Sequence, residues 1–268
     1  MIGPMRTHLW LVAALAAVSS LPAQGRLSPE ALIKLQRVGD LALSQDGHHL
    51  LYTVRATDLA ANRSAARIFV LDTRNPGEPT PVGDGGGAFW VDAGHIGWAT
   101  AEGVRIQPLG EGGPVTIAAP GGFGNLAMAP DGQHFSFTRD VPIDPPVTAK
   151  YPDLPKANAR AYDDLMVRHW DHWNDGTFSH LFVLARQGGE ARDLLAGERV
   201  HTPLPPFGGG EQIAWSPDGK ELCYTARRVP DPEASTDSSL WVVPAGGGES
   251  VDLTPGMPGY DQDPVYSP

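Results

Sequence analysis

Apolar residues in this chain recur with a period of two in short runs, and the runs stop at one recurrent kind of turn. Ile213-Ala214-Trp215 leads into Ser216-Pro217-Asp218-Gly219-Lys220, and Glu221-Leu222-Cys223-Tyr224-Thr225-Ala226 follows at once. The same unit appears as Leu126-Ala127-Met128-Ala129-Pro130-Asp131-Gly132 before His134-Phe135-Ser136-Phe137-Thr138, and as Leu41-Ala42-Leu43-Ser44-Gln45-Asp46-Gly47 before His49-Leu50-Leu51-Tyr52-Thr53. In each, Asp bonds the turn backbone and Gly takes the positive φ that the hairpin needs. A further copy carries Asp92-Ala93-Gly94 between Ala88-Phe89-Trp90-Val91 and His95-Ile96-Gly97-Trp98-Ala99.

Each unit has a second half. Arg67–Asp72, Gly103–Leu109, His180–Leu184 and Ser239–Pro244 are β-rich runs. Glycine-rich turns at 110–113, 188–189 and 246–248 lead into a short closing strand at Val115–Ile117, Arg192–Leu195 or Ser250–Leu253. Four short antiparallel strands per unit, repeating every ~40–50 residues, predict the blades of an all-β propeller. The expected blades cover about 38–84, 86–120, 122–197 and 208–255, with a fifth beginning near 260, so that the ring is incomplete. Four blades alone would leave two apolar faces unpartnered, and the chain is expected to be poorly soluble or to self-associate despite its net charge.

Two stretches depart from the pattern. Leu27–Leu35 predicts a short lead-in helix within 24–37, with Ser28 as N-cap and Pro29 at the first helical position. Blade three carries an insertion at 140–178. Its first part, Val141–Pro155, is proline-rich and expected to be extended. Its second part, Ala159–Trp173, reads as a helix with Tyr162, Leu165, Met166, His169 and Trp173 on one face, held on the blades by Trp170 or Trp173.

The net charge of −11 argues against nucleic acid and anionic membrane surfaces as partners. Residues 1–23 have the make-up of a cleaved secretory signal, with Arg6 before the apolar Leu9–Leu21 and the cleavage-compatible Leu21-Pro22-Ala23. They imply a periplasmic or secreted product. The single cysteine, Cys223, lies in a predicted strand and reads as a small buried hydrophobe.

Candidate chemistry concentrates in Tyr162-Asp163-Asp164-Leu165-Met166-Val167-Arg168-His169-Trp170-Asp171-His172-Trp173. His169 and His172 with an Asp have workable spacing for a metal, but no matching donor cluster lies nearby in the sequence, so no metal or other cofactor is expected. Packing of the insertion onto the blades is one reading. A substrate-channel or interface role for Arg168, Trp170, Asp171 and Trp173 is the other. No Gly-x-Ser-x-Gly elbow occurs, so no catalytic residue is nominated. The glycine clusters at 83–87 and 208–210 lack the Lys-Ser/Thr of a phosphate loop.

The Ser-Pro-Asp-Gly-Lys hairpin, Leu240-Trp241-Val242-Val243 with Gly246-Gly247-Gly248, and above all the 162–173 stretch with Ser179-His180-Leu181-Phe182-Val183 resemble the N-terminal propeller of the prolyl oligopeptidase family. The likeness is to its secreted bacterial dipeptidyl-peptidase and acylaminoacyl-peptidase-like branch. The resemblance implies a propeller that restricts access of peptide substrates to a C-terminal α/β-hydrolase domain carrying a Ser-Asp-His triad. None of the triad positions has a counterpart in this chain, which is expected to be inactive alone. The adjacent glutamates with which one branch anchors a substrate amino group also have no match. The rival expectation is a non-enzymatic periplasmic binding propeller of the translocation-associated type.

Overall fold

The computed structural model describes residues 27–119 and 121–267; the signal-like residues 1–23 lie outside them. The described residues divide into two units, 27–36 with Ala56–Ser64, and Arg37–Arg55 with 65–267. In the smaller unit, helix α1 spans Pro29–Lys34, and the Ser28 side chain accepts the Ala31 N–H at 3.1 Å. Residues 56–64 form a hairpin tip in which Asp58 Oδ1 accepts the N–H groups of Ala60 and Ala61.

The larger unit carries four four-stranded antiparallel sheets. The first runs β1 (Arg37–Leu43), β2 (His49–Asp58), β3 (Arg63–Asp72) and β4 (Thr80–Asp84), with the β2–β3 tip belonging to the smaller unit. The second runs β5 (Phe89–Asp92), β6 (His95–Ala99), β7 (Gly103–Pro108) and β8 (Val115–Ala118). The third is β9 (Gly124–Met128), β10 (His134–Pro142), β13 (Thr177–Ala185) and β14 (Arg192–Asp193). The fourth is β15 (Ile213–Trp215), β16 (Glu221–Ala226), β17 (Ser239–Pro244) and β18 (Val251–Asp252).

The recurrent turn has a repeated bonding plan. Ser216 Oγ donates to Asp218 Oδ1 at 2.8 Å and accepts the N–H groups of Lys220 and Glu221, while Gly219 sits at φ 69°. Ser44, Asp46 and Gly47 repeat it, with Gly47 at φ 71°. In the third sheet Ala129 lacks the hydroxyl, yet the backbone closes the same way, Gly132 N–H to Ala129 O at 2.9 Å. There the His134 ring bonds Asp131 instead, at 3.0 Å.

Alternation along each strand builds one core between each pair of consecutive sheets. Leu51, Ile68, Ile96 and Trp98 fill the first and Val104, Phe135, Phe137 and Leu184 the second. Leu181, Leu195, Leu222 and Tyr224 fill the third. β13 serves two cores, sending Phe182 and Leu184 to one side and Leu181 and Val183 to the other. Small sheets packed face to face in chain order are the architecture of an all-β propeller.

The insertion departs from expectation. No helix forms over 159–173. The only helical turn of the insertion is α2, Val147–Lys150, inside the proline-rich part. Pro146 sets the backbone for its start and Pro152 follows its end, which suits prolines flanking a single turn. The 159–173 stretch has Asp, His and Trp where a helix favours Ala, Leu or Glu. It folds instead as irregular chain ending in a minimal hairpin, β11 (Arg168–His169) and β12 (His172–Trp173). Trp170 and Trp173 do not pack into the blades; they are 72% and 55% exposed. Beyond β18, residues 261–267 form no strand, and Tyr260 makes an isolated parallel bridge to Ser238.

Candidate functional site

The insertion leaves and re-enters the third sheet at one point. Pro142 and Thr177 are register partners at the end of the β10–β13 ladder. Just beyond them the Gly176 carbonyl accepts the N–H groups of Ile143 and Asp144, both at 3.0 Å. Gly176 has φ 78°, and a Cβ there would lie 2.8 Å from the Asp144 Cβ, so glycine is required at this neck.

Asn174 closes the excursion on itself. Its Nδ2 donates to Met166 O, its Oδ1 accepts the Gly176 N–H at 2.9 Å, and its carbonyl accepts from Tyr162 Oη at 2.7 Å and from Arg160. Two charged clamps brace the outer chain. Lys150 Nζ bonds both Asp163 oxygens at 2.7 and 2.8 Å, and this hydrogen bond raises the lysine pKa. Arg199 grips Asp144 in bidentate fashion at 2.7 and 3.0 Å, which raises the arginine pKa despite partial burial. Between these clamps lies a cleft of about 610 Å³, lined by Thr148, Lys150, Arg160, Tyr162, Asp164 and Arg199 among others. The Thr177 hydroxyl, with backbone N–H groups, lowers the pKa of Asp175 at its base against the effect of burial.

The β11–β12 hairpin displays the residues singled out from the sequence. Arg168 and Trp173 are cross-strand partners, and the guanidinium carbon lies 5.4 Å from the indole centroid. Trp170, at φ 49° in the turn, stacks on His169 with centroids 5.4 Å apart. Its ring meets Phe207 edge-on at 6.0 Å. Asp171 points to solvent beside His172. Among the described residues, no group of three or more metal-donor side chains converges anywhere. His169 and His172 face each other across the register without a third ligand.

Sequence reasoning missed Phe207, Arg199 and Asn174. Phe207 carried a signal: it is a large apolar residue between Pro205-Pro206 and Gly208-Gly209-Gly210, in a segment that no strand pattern claims. It is 80% exposed. Leu165, Trp170 and Trp173 of the insertion are also exposed, and Arg168 adds a cation that makes no ion pair among the described residues. Exposed aromatic faces beside a guanidinium are chemically suited to contact with extended chain.

Two further groups with reactive side chains are buried. His180 is fully buried between Asp193 Oδ2 and the Glu198 carbonyl, each 2.9 Å from a ring nitrogen, so it reaches no substrate. Cys223 is 3% exposed, and burial pushes its thiol up to about 11, far from a nucleophilic thiolate.

No family model matches the chain. Dipeptidyl-peptidase 5 of Porphyromonas gingivalis is 29% identical over 256 residues, covering 90% of this chain and 37% of the relative. Dipeptidyl-peptidase 5 of Porphyromonas endodontalis is 31% identical over the same length, with the same coverages. The chain thus spans little more than a third of the length of these relatives. Among solved structures, an acylaminoacyl peptidase in complex with Z-Gly-Gly-Phe-chloromethyl ketone superposes with a TM-score of 0.63 at 11% identity, over 84% of this chain and 33% of that one. The acylaminoacyl peptidase of Pyrococcus horikoshii, in an orthorhombic crystal form, gives 0.61 at 10% identity, over 83% and 33%. At that identity the likeness concerns the fold, and the fold is the one the four sheets build. Taken with the two dipeptidyl-peptidases, it means that the chain matches the propeller portion of a prolyl oligopeptidase family peptidase.

Proposed function

We propose that this chain is the substrate-gating propeller portion of an exported serine exopeptidase. The observation that carries the reading is the coverage: the dipeptidyl-peptidases align over 90% of this chain, while the chain accounts for 37% of their length. Hydrolysis then belongs to an α/β-hydrolase domain of the same parent chain, supplying an activated serine, a general base and oxyanion donors. The propeller limits which peptides reach that serine. The β11–β12 hairpin lies on the substrate path, where Trp170, Trp173 and Arg168 hold extended peptide. The exposure of those aromatic rings supports this role, since an indole that braced the fold would be buried. Export to the periplasm or the medium rests on the composition of residues 1–23.

The experiment compares residues 24–268 with the product of the longer coding region. Both are assayed on chromogenic dipeptide and acylaminoacyl substrates and with a serine-directed covalent probe. The reading predicts that residues 24–268 neither turn over nor label, and that the longer protein does both. Labelling of a serine within residues 24–268, or a longer protein inert to peptides, would overturn it.

A further inference from the structure

The connector between β14 and β15 is tied to the start of β13 by a set of three bonds around one residue. Ser179 donates its backbone N–H to His201 Nδ1 at 3.1 Å, its carbonyl accepts the Thr202 N–H at 2.9 Å, and its hydroxyl donates to the Thr202 carbonyl at 3.1 Å. The His201 ring also packs on Phe178, with centroids 4.7 Å apart. The same connector holds the insertion on both sides. Arg199 grips Asp144 at the neck, and Phe207 meets Trp170 at the hairpin.

From this geometry we propose that His201 is an acid-sensitive clasp, which fixes the connector and with it the insertion at neutral pH and releases them when its ring takes up a second proton. The reason lies in the bond to Ser179. A ring nitrogen that accepts an N–H carries no hydrogen, so His201 is held as the neutral tautomer with its proton on Nε2. Protonation at Nδ1 sets two N–H donors against each other and breaks the clasp.

The charged surroundings of the ring are mixed. Asp140 on β10 and Asp175 at the neck favour the charged form, while His180, next along β13, opposes it. His180 itself faces the Asp193 carboxylate and the Glu198 carbonyl. Burial of the His201 ring is the largest influence, and the net result is a pKa below the ordinary histidine value. The folded state therefore binds fewer protons at this position than the unfolded chain. Stability from the clasp is complete above the unfolded pKa of about 6.5 and is lost as pH falls through it toward the folded value. A regulated consequence follows for the peptide path: acid loosens the hairpin that carries Trp170.

Hydrogen exchange of the full chain, read by mass spectrometry at pH ~7.5 and pH ~5.5, tests the clasp. Variant and wild type are compared at the same pH so that intrinsic exchange rates cancel. His201→Asn keeps an acceptor for the Ser179 N–H but takes up no proton, and His201→Gln serves as a second such variant. At pH ~7.5 the three proteins should exchange alike over 198–207 and 143–147. At pH ~5.5 the wild type should exchange several-fold faster there than the variants, while 96–108 in the second sheet matches in all three. Equal exchange over 198–207 at both pH values would overturn the proposal. If neither variant folds, the wild type still decides. Protection over 198–207 must fall relative to 96–108 between the two pH values, and a constant ratio contradicts the clasp.

Discussion

The sheets and the excursion from Ile143 to Gly176 are built on opposite plans. The β10–β13 pair hides its apolar side chains: Phe135, Phe137, Leu181 and Leu184 have no exposed surface. The excursion, which grows from those same two strands, turns its largest side chains outward, with Leu165, Trp170 and Trp173 all more than half exposed. It is held by polar bonds, through Asn174, Lys150–Asp163 and Arg199–Asp144. Apolar residues that do not stabilise the fold are available to bind something else, and the role proposed for the excursion rests on that difference.

The contrast is sharpest at the core. Phe135→Ala opens a void between the second and third sheets, and the expected loss is about 3–5 kcal/mol, read from urea denaturation of the full chain. A loss under about 1 kcal/mol would mean that the sheets do not pack as one core.

The next effect probes the recurrent turn. Gly219→Ala places a Cβ on a residue at φ 69° and within 2.9 Å of Asp131 Cγ. The cost should be about 1–2 kcal/mol in the same assay. Gly246→Ala, in a turn of the same sheet with open space around its Cβ, should cost less.

These turns also show what the sequence made legible. Asp-Gly flanked by alternating apolar residues dictates a hairpin locally, because the bonds run between residues two to five apart. The repeat then yields the propeller without any long-range knowledge. Even the copy lacking serine at Ala129 was readable, since Asp131 and Gly132 suffice. The insertion was not readable by the same means. Its apolar residues fall at helical spacing, but periodicity predicts a helix only when another surface receives the apolar face. Here none does. The bonds that shape the stretch come from Asn174 and from Tyr162, across eight or more residues. Phe207 and Arg199 enter the site from the β14–β15 connector, so the sequence pointed to Arg168, Trp170, Asp171 and Trp173, and of the rest only Phe207 left a signal in its flanking prolines and glycines.

A smaller effect separates the polar brace from the core. Asp144→Ala removes both bonds to a half-exposed Arg199, and the global stability should fall by no more than about 1 kcal/mol. Limited proteolysis between 143 and 176 should nonetheless accelerate, because local opening is governed by local bonds. Unchanged cleavage would show that the clamp does not hold the excursion.

The smallest expected change in stability accompanies the largest expected change in function. In the longer protein, the double variant Trp170→Ala and Trp173→Ala should leave the melting temperature unaltered, each surface substitution being worth within about 0.5 kcal/mol. Its kcat/KM on a chromogenic dipeptide substrate should drop by about tenfold or more, corresponding to ~1.4 kcal/mol of lost binding in the transition state. An unchanged kcat/KM, or a lowered melting temperature that accounts for the lost activity, would contradict the assignment of the hairpin to the substrate path.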